Sequence, residues 1–140
     1  MNYLKLIFAV LFLTQVFSEP IDIVSIAENG NYKALKEAIE KGADVNQKDK
    51  YEKTALHVCA LEDFDELAEL LISSGADINI LSKWGDTPLH IACACGSMDT
   101  VKLLLAKGAN ATIRNNAGFL PSDMASKEGH SEIVKLLSAK

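Results

Sequence analysis

A repeat of thirty-three residues constrains the fold of this chain more than any other feature of its sequence. The pentapeptide Gly-Ala-Asp-Val-Asn at residues 42–46 returns as Gly-Ala-Asp-Ile-Asn at 75–79 and as Gly-Ala-Asn-Ala-Thr at 108–112. Self-similarity at a fixed period of about 20 to 50 residues is typical of proteins built from stacked units, each too small to bury its own apolar side chains. We therefore expect one domain in which neighbouring units share a continuous core.

A second marker keeps the same phase along the chain. Thr-Ala-Leu-His at 54–57 returns as Thr-Pro-Leu-His at 87–90, and in a weaker form as Leu-Pro-Ser-Asp at 120–123. The period and both markers resemble the ankyrin repeat from about Ile21 to the end of the sequence. The resemblance implies an all-α solenoid of stacked helix-turn-helix units joined by β-hairpin-like loops, with a role in binding other proteins.

The structure of one unit can be derived from its residues alone. Thr87 is a suitable N-cap, and Pro88 falls at the first helical position, where a missing N–H costs nothing. Gly96 ends this first helix, and apolar residues at helical spacing over 98–105 predict a second one. Gly108 then provides a left-handed exit. Two short helices are expected in each unit.

Four such units are expected, of which the first and last are caps with polar outer faces. The first unit starts directly at its helix, and the last loses the Thr-x-Leu-His marker. About three repeats are enough to enclose a continuous core, so four suffice. The expected repeat boundaries are about 21–48, 49–81, 82–114 and 115–140.

Residues 1–18 predict a secretory signal peptide, which leaves residues 19–140 as the ankyrin-like domain. Lys5 precedes an uninterrupted apolar run at 6–13, and Ser18 is a suitable small residue before the cleavage site. This run is shorter than the roughly 20 apolar residues that span a bilayer. We expect a secreted protein, extracellular or, in a bacterium, periplasmic, with no stable membrane insertion after cleavage. An uncleaved anchor or a buried N-terminal helix is the alternative.

Composition and charge narrow the class of partner. Fourteen Lys and Arg oppose nineteen Asp and Glu, which gives a formal net charge of −5 and argues against binding to nucleic acid through phosphate neutralisation. The three cysteines are too few for a disulfide framework, and their odd number leaves at least one unpaired within the chain. We expect a protein partner, and a chain that is itself monomeric.

Two clusters of histidine and cysteine look at first like metal ligands or a nucleophile pair. They are His57 with Cys59, and His90 with Cys93 and Cys95. A zinc site requires four converging ligands, and neither cluster has that arrangement. Cys95 falls at a position that is polar in the neighbouring units, so we expect an exposed thiol there. A redox or metal-linked protective factor that uses Cys95, Cys93 and His90 is the alternative function.

The ankyrin resemblance assigns a structural role to the Thr-x-Leu-His marker, whose histidine ties the first helix to neighbouring backbone, and places Cys59 and Cys93 at small buried positions. On this basis the structural residues are Thr54, His57, Thr87, Pro88 and His90. The sequence contains no glycine-rich phosphate loop, nucleophile elbow or metalloprotease helix, so no enzyme activity, cofactor or metal is expected. Asn110 begins an Asn-Ala-Thr sequon in a loop and is a candidate for N-glycosylation.

The expected binding surface consists of the hairpin tips and the exposed ends of the first helices. Three of the five aromatic residues beyond the leader, Tyr51, Trp84 and Phe119, fall on the tips, and the first two are equivalent positions. Tyrosine and tryptophan bury a large area at low entropic cost, which favours a binding hot spot; the alternative is that each ring folds over its own hairpin. Flanking lysines predict a locally basic edge. The candidate set is Lys50, Tyr51, Lys53, Leu61, Glu62, Lys83, Trp84, Asp86, Cys95 and Phe119.

Two residues of the second unit depart from the repeat pattern. Asp63 replaces the glycine that ends the first helix in the other units, and Glu52 replaces a hairpin glycine. Because residues other than glycine resist a left-handed conformation, we expect a strained or reshaped helix junction and hairpin tip in this unit.

Overall fold

The structure, a computed structural model, describes residues 3–7, which are helical, and residues 19–139. The rest of the predicted signal peptide, including its cleavage site, lies outside the described residues. Between residues 19 and 139 the helices are α1 (Ile23–Glu28), α2 (Tyr32–Glu40), α3 (Ala55–Glu62), α4 (Asp65–Ser73), α5 (Pro88–Cys95), α6 (Met98–Ala106), α7 (Pro121–Lys127) and α8 (Ser131–Ser138). No residue of the two described ranges lies in a β-strand, and the predicted all-α fold is confirmed.

The helices form pairs, and the pairs stack. The first helices pack on one another in the order α1, α3, α5 and α7, while α2, α4 and α6 pack in a second layer. Positions thirty-three residues apart meet equivalent surroundings, so Leu71 and Leu104 are both fully buried between the layers. Burial of each such side chain contributes about 1.5 to 3 kcal/mol. The core therefore runs through the stack as one continuous cluster.

The hairpin tips extend from one side of this stack and are joined to each other by backbone hydrogen bonds. The N–H of Lys83 donates to the carbonyl of Tyr51 at 3.1 Å, and the N–H of Asn116 donates to the carbonyl of Trp84 at 3.0 Å. The two bonds are equivalent, because both residue pairs are displaced by the same thirty-three positions. Neighbouring tips are therefore held in fixed register.

Buried histidines tie the second and the third tip to the first helices of the preceding repeats. His57 Nδ1 lies 3.1 Å from the N–H of Thr54, and its Nε2 lies 2.9 Å from the carbonyl of Asp86 in the next tip. Since a backbone N–H only donates and a carbonyl only accepts, the ring is neutral, with its proton on Nε2. His90 makes the same contacts with the N–H of Thr87 and the carbonyl of Phe119.

The junction at Asp63 is strained but not reshaped. Its φ of 58° places it in the same left-handed region as Gly96, with φ of 72°. Its side chain gains a hydrogen bond, because Oδ1 accepts from the N–H of Thr100 in α6 at 2.9 Å. A side chain at Gly96 would instead meet His130. For Asp63, the residue at the position equivalent to His130 is the smaller Ser97. The neighbouring repeat thus decides whether this position accepts a side chain.

The hairpin tip at Glu52 likewise keeps the backbone of its glycine counterparts. Glu52 has φ of 58° and Gly85 has φ of 75°. The substitution therefore adds strain of about 1 to 2 kcal/mol without moving the tip that presents Tyr51.

Candidate functional site

A groove of about 270 Å³ lies between the hairpin tips and the first helices. Five residues of the predicted binding surface line it together, namely Lys53, Leu61, Trp84, Asp86 and Cys95. The full lining consists of Lys53, His57, Val58, Leu61, Trp84, Asp86, His90, Ile91, Ala94, Cys95 and Met124. Most of this lining is apolar, as is usual for a concave binding site.

The floor of the groove contains three residues that the sequence reasoning missed. Val58, Ile91 and Met124 occupy one position of three successive repeats and line the same groove. Val58 is buried, while Ile91 and Met124 are half-buried. Their thirty-three-residue spacing is the signal that could have identified them as one surface stripe.

The aromatic side chains at the tips form an exposed stacked pair. The ring centroids of Tyr51 and Trp84 are 5.8 Å apart with an interplanar angle of 24°. The rings therefore pack against each other across two tips, rather than each over its own hairpin. Tyr51 remains 41% exposed and Trp84 52% exposed, even though the stacking covers part of both.

The lysines of the tips are only partly free to make the edge basic. Lys50 Nζ lies 4.9 Å from the Tyr51 ring centroid, and Lys53 Nζ lies 6.0 Å from it. Lys53 is also 3.9 Å from the carboxylate of Asp49. Three lysines and three acidic residues share the tips at 49–53 and 82–86, so the formal charge there is zero. The expectation of a basic edge is corrected to a neutral one, with the exposed Lys83 at its outer side.

Phe119 does not join the other two aromatics. It is 38% exposed, lies outside the groove lining, and has Lys127 Nζ 5.5 Å from its ring centroid. Its position in the third tip is equivalent to Asp86 rather than to Trp84, which explains the different direction. Phe119 is therefore a neighbour of the groove and not part of it.

At the helix ends the groove is bordered by Glu62, Cys95 and Glu128, three equivalent positions. Cys95 is exposed, and its thiol pKa is raised by burial and, further, by the Glu62 and Glu128 carboxylates. A raised pKa lowers the thiolate fraction and thus the reactivity of the thiol.

The redox or metal-linked alternative gains no support from the arrangement of its residues. Cys93 is buried, and burial raises the pKa of its thiol to about 12, as it does for Cys59. Both ring nitrogens of His90 are occupied by hydrogen bonds inside the fold. Within residues 3–7 and 19–139, no group of three or more His, Cys, Asp and Glu side chains could hold a metal ion.

The sequon lies in the turn that follows α6, away from the groove lining. Asn110 is exposed, and its Oδ1 accepts from the N–H of Thr112 at 2.9 Å and from the Thr112 hydroxyl at 2.6 Å. The side chain is therefore accessible from solvent in a defined turn.

Comparison with known proteins identifies the repeats. A family model described as ankyrin repeats (3 copies) matches the chain over residues 23–82 and 60–140. A search of the curated proteins found no match. Of the helices in the described part of the chain, none has the length and apolar character that crossing a bilayer requires.

Proposed function

The chain belongs to the ankyrin-repeat family, and on that premise we propose that it is an exported, non-catalytic protein whose groove binds a protein partner. Ankyrin repeats generally mediate protein–protein interaction. The proposal assigns that general role to one surface of this chain, the groove together with the aromatic pair that borders it.

The exposed stack of Tyr51 and Trp84 carries this proposal. Two large rings are held in a fixed geometry by each other and by the backbone bonds between the tips. A partner that covers them pays little conformational entropy, because the rings are ordered before binding. Trp84 also lines the apolar groove, so one partner segment can contact both.

The hydrogen bonds of His57 and His90 and the raised pKa of the Cys95 thiol support the proposal that the protein is non-catalytic. His57 and His90 use both ring nitrogens to hold the fold, so neither has a free nitrogen to accept a proton from a substrate. Cys95 is the exposed thiol, and its pKa is shifted upward, away from the range of an activated nucleophile.

Export is proposed from the N-terminal segment alone. Its short apolar run follows Lys5 and ends in small and polar residues before Glu19. N-terminal sequencing of the chain produced by a secreting cell tests this directly: a start at Glu19 supports export, and a start at Met1 contradicts it while leaving the binding proposal intact.

Binding through the aromatic pair is tested with a matched control. Proteins captured from the native source by the wild-type chain are compared with those captured by a Tyr51→Ala and Trp84→Ala double variant and by Tyr32→Ala. Tyr32 is 44% exposed on α2, outside the groove lining, so its loss removes a similar ring from a different face. The double variant is expected to lose a partner that Tyr32→Ala retains, with an affinity reduction of about thirtyfold or more. Equal loss in both variants contradicts the assignment of the surface.

A further inference from the structure

The helix-end border of the groove, formed by Glu62, Cys95 and Glu128, carries negative charge that the fold leaves uncompensated. Both carboxylates are exposed, and neither takes part in an ion pair within the described part of the chain. Both carboxylates also raise the pKa of the Cys95 thiol, which occupies the equivalent position in the repeat between them. The two charges therefore act on one point of the groove.

These carboxylates stand where helix stability favours the opposite charge. α3 ends at Glu62, and Glu128 is the C-cap of α7. The C-terminus of a helix carries partial negative charge, so cations stabilise it and anions destabilise it. Lys127 meets that preference in α7, but its ammonium group lies over the ring of Phe119. Neither Glu62 nor Glu128 forms an ion pair within the described residues or stabilises the helix end at which it lies, so both carboxylates are free to interact with a cation of a partner.

An apolar surface adjoins this border directly. Leu61 is 46% exposed, although it is a large aliphatic side chain, and it lines the groove with the half-buried Ile91 and Met124. Cys95 lines the same groove and belongs to the acidic border. Cys95 therefore lies where the apolar patch adjoins the two unpaired carboxylates.

We propose that the groove accepts a partner segment in which an apolar side chain lies close to a lysine or arginine. The apolar side chain packs on Leu61, Ile91 and Met124, and the cation lies beside Cys95 between Glu62 and Glu128. This inference rests on the proposed function, because it names the kind of segment that the groove binds. The apolar contact supplies affinity, and the charge pairing sets orientation and accelerates association.

Cys95 provides a reporter of the charge at this point, since the other two cysteines of the chain are buried. The purified protein is treated with two methanethiosulfonates, one carrying a trimethylammonium group and one carrying a sulfonate. The Cys95 thiolate attacks the same type of sulfur in both reagents, forms a mixed disulfide and releases methanesulfinate, so the ratio of the two rates does not depend on the thiol pKa. We expect the cationic reagent to be favoured about fivefold or more over its preference for free cysteine at low salt.

A charge-matched control separates the local effect from net charge. The Glu62→Gln and Glu128→Gln double variant is expected to lose the preference. A Glu40→Gln and Glu66→Gln double variant has the same net charge, removes exposed carboxylates from α2 and α4, and is expected to retain it. A wild-type ratio equal to that of free cysteine, or equal loss in both variants, overturns the inference.

Selection from a displayed library of random twelve-residue peptides tests the partner chemistry. Enriched peptides in which Lys or Arg lies near an apolar residue, on either side of it, support the inference, provided that the basic preference disappears on the Glu62→Gln and Glu128→Gln variant. Enrichment of apolar residues without a base, or with an acid, overturns the inference and leaves the proposed function standing. Failure to enrich any peptide whose binding depends on Trp84 or Leu61 overturns both.

Discussion

The packing of His130 over Gly96 allows a quantitative test of how neighbouring repeats are joined. Gly96 has φ of 72°, and a Cβ built on it would lie 2.7 Å from Cε1 of His130. His130 Nε2 lies 3.0 Å from the carbonyl of Ala94, so the ring links α8 to α5. Gly96→Ala is expected to impose a left-handed strain of about 1 to 2 kcal/mol and to displace this ring, with a further loss of about 1 kcal/mol.

The Gly129→Ala variant separates the cost of left-handed backbone strain from the cost of displacing the His130 ring. Gly129 has φ of 81°, but a Cβ there would meet no atom within 4 Å. This variant is expected to be destabilised by the backbone strain alone. Its free energy of unfolding should therefore be about 1 kcal/mol higher than that of Gly96→Ala. Urea unfolding followed by circular dichroism and by the fluorescence of Trp84, the single tryptophan, measures both.

A double-mutant cycle decides the cause of the difference. In a His130→Ala background the extra cost of Gly96→Ala is expected to disappear, because the ring that it displaces is no longer present. Equal destabilisation by the two glycine variants, or an extra cost that persists without His130, would refute the reasoning about this repeat interface.

Three further outcomes are expected. Burial lowers the pKa of His57 below its ordinary value of 6.5, so the unfolded chain binds more protons than the fold as pH falls below 6.5; the free energy of unfolding, measured by urea titration, should therefore fall by up to about 1.4 kcal/mol per pH unit, and by less in His57→Gln. Glu62→Lys should raise the unfolding free energy by about 0.5 kcal/mol at low salt, because it places a cation at the end of α3, while it abolishes binding of basic peptides; a destabilised variant would contradict the dipole argument. Secretion from eukaryotic cells should yield a chain whose mass falls on treatment with peptide N-glycosidase, and Asn110→Gln should remove that shift.

The thirty-three-residue period predicted much of the fold and part of the groove. It placed Tyr51 beside Trp84, because equivalent positions in stacked units become neighbours in space. Val58 and Ile91 have the same spacing, but an apolar residue of a first helix can face either the core or the groove. Local sequence does not show which member of an apolar stripe remains half-exposed, since that depends on the neighbouring repeats.

Other features depend on contacts between units that no local pattern reveals. The departure at Asp63 was visible in the sequence, but its hydrogen bond to Thr100 depends on the start of a helix in the next repeat. The two-residue offset of Phe119 from the position of Trp84 can be read in the sequence, but its place beside Lys127 appears only in the structure. The zero formal charge of the tips can be counted in the sequence, whereas the contact of Asp49 with Lys53 appears only in the structure.

Protection of Cys95 by a bound partner shows whether the groove is the binding site, because this thiol lies in the groove and the other two cysteines of the chain are buried. The rate of its alkylation is measured with and without a saturating amount of a protein captured by the wild-type chain. We expect the partner to slow the reaction about tenfold or more, since it excludes reagent from the groove. An unchanged rate at saturation would show that the partner binds elsewhere and that the groove is not the binding site.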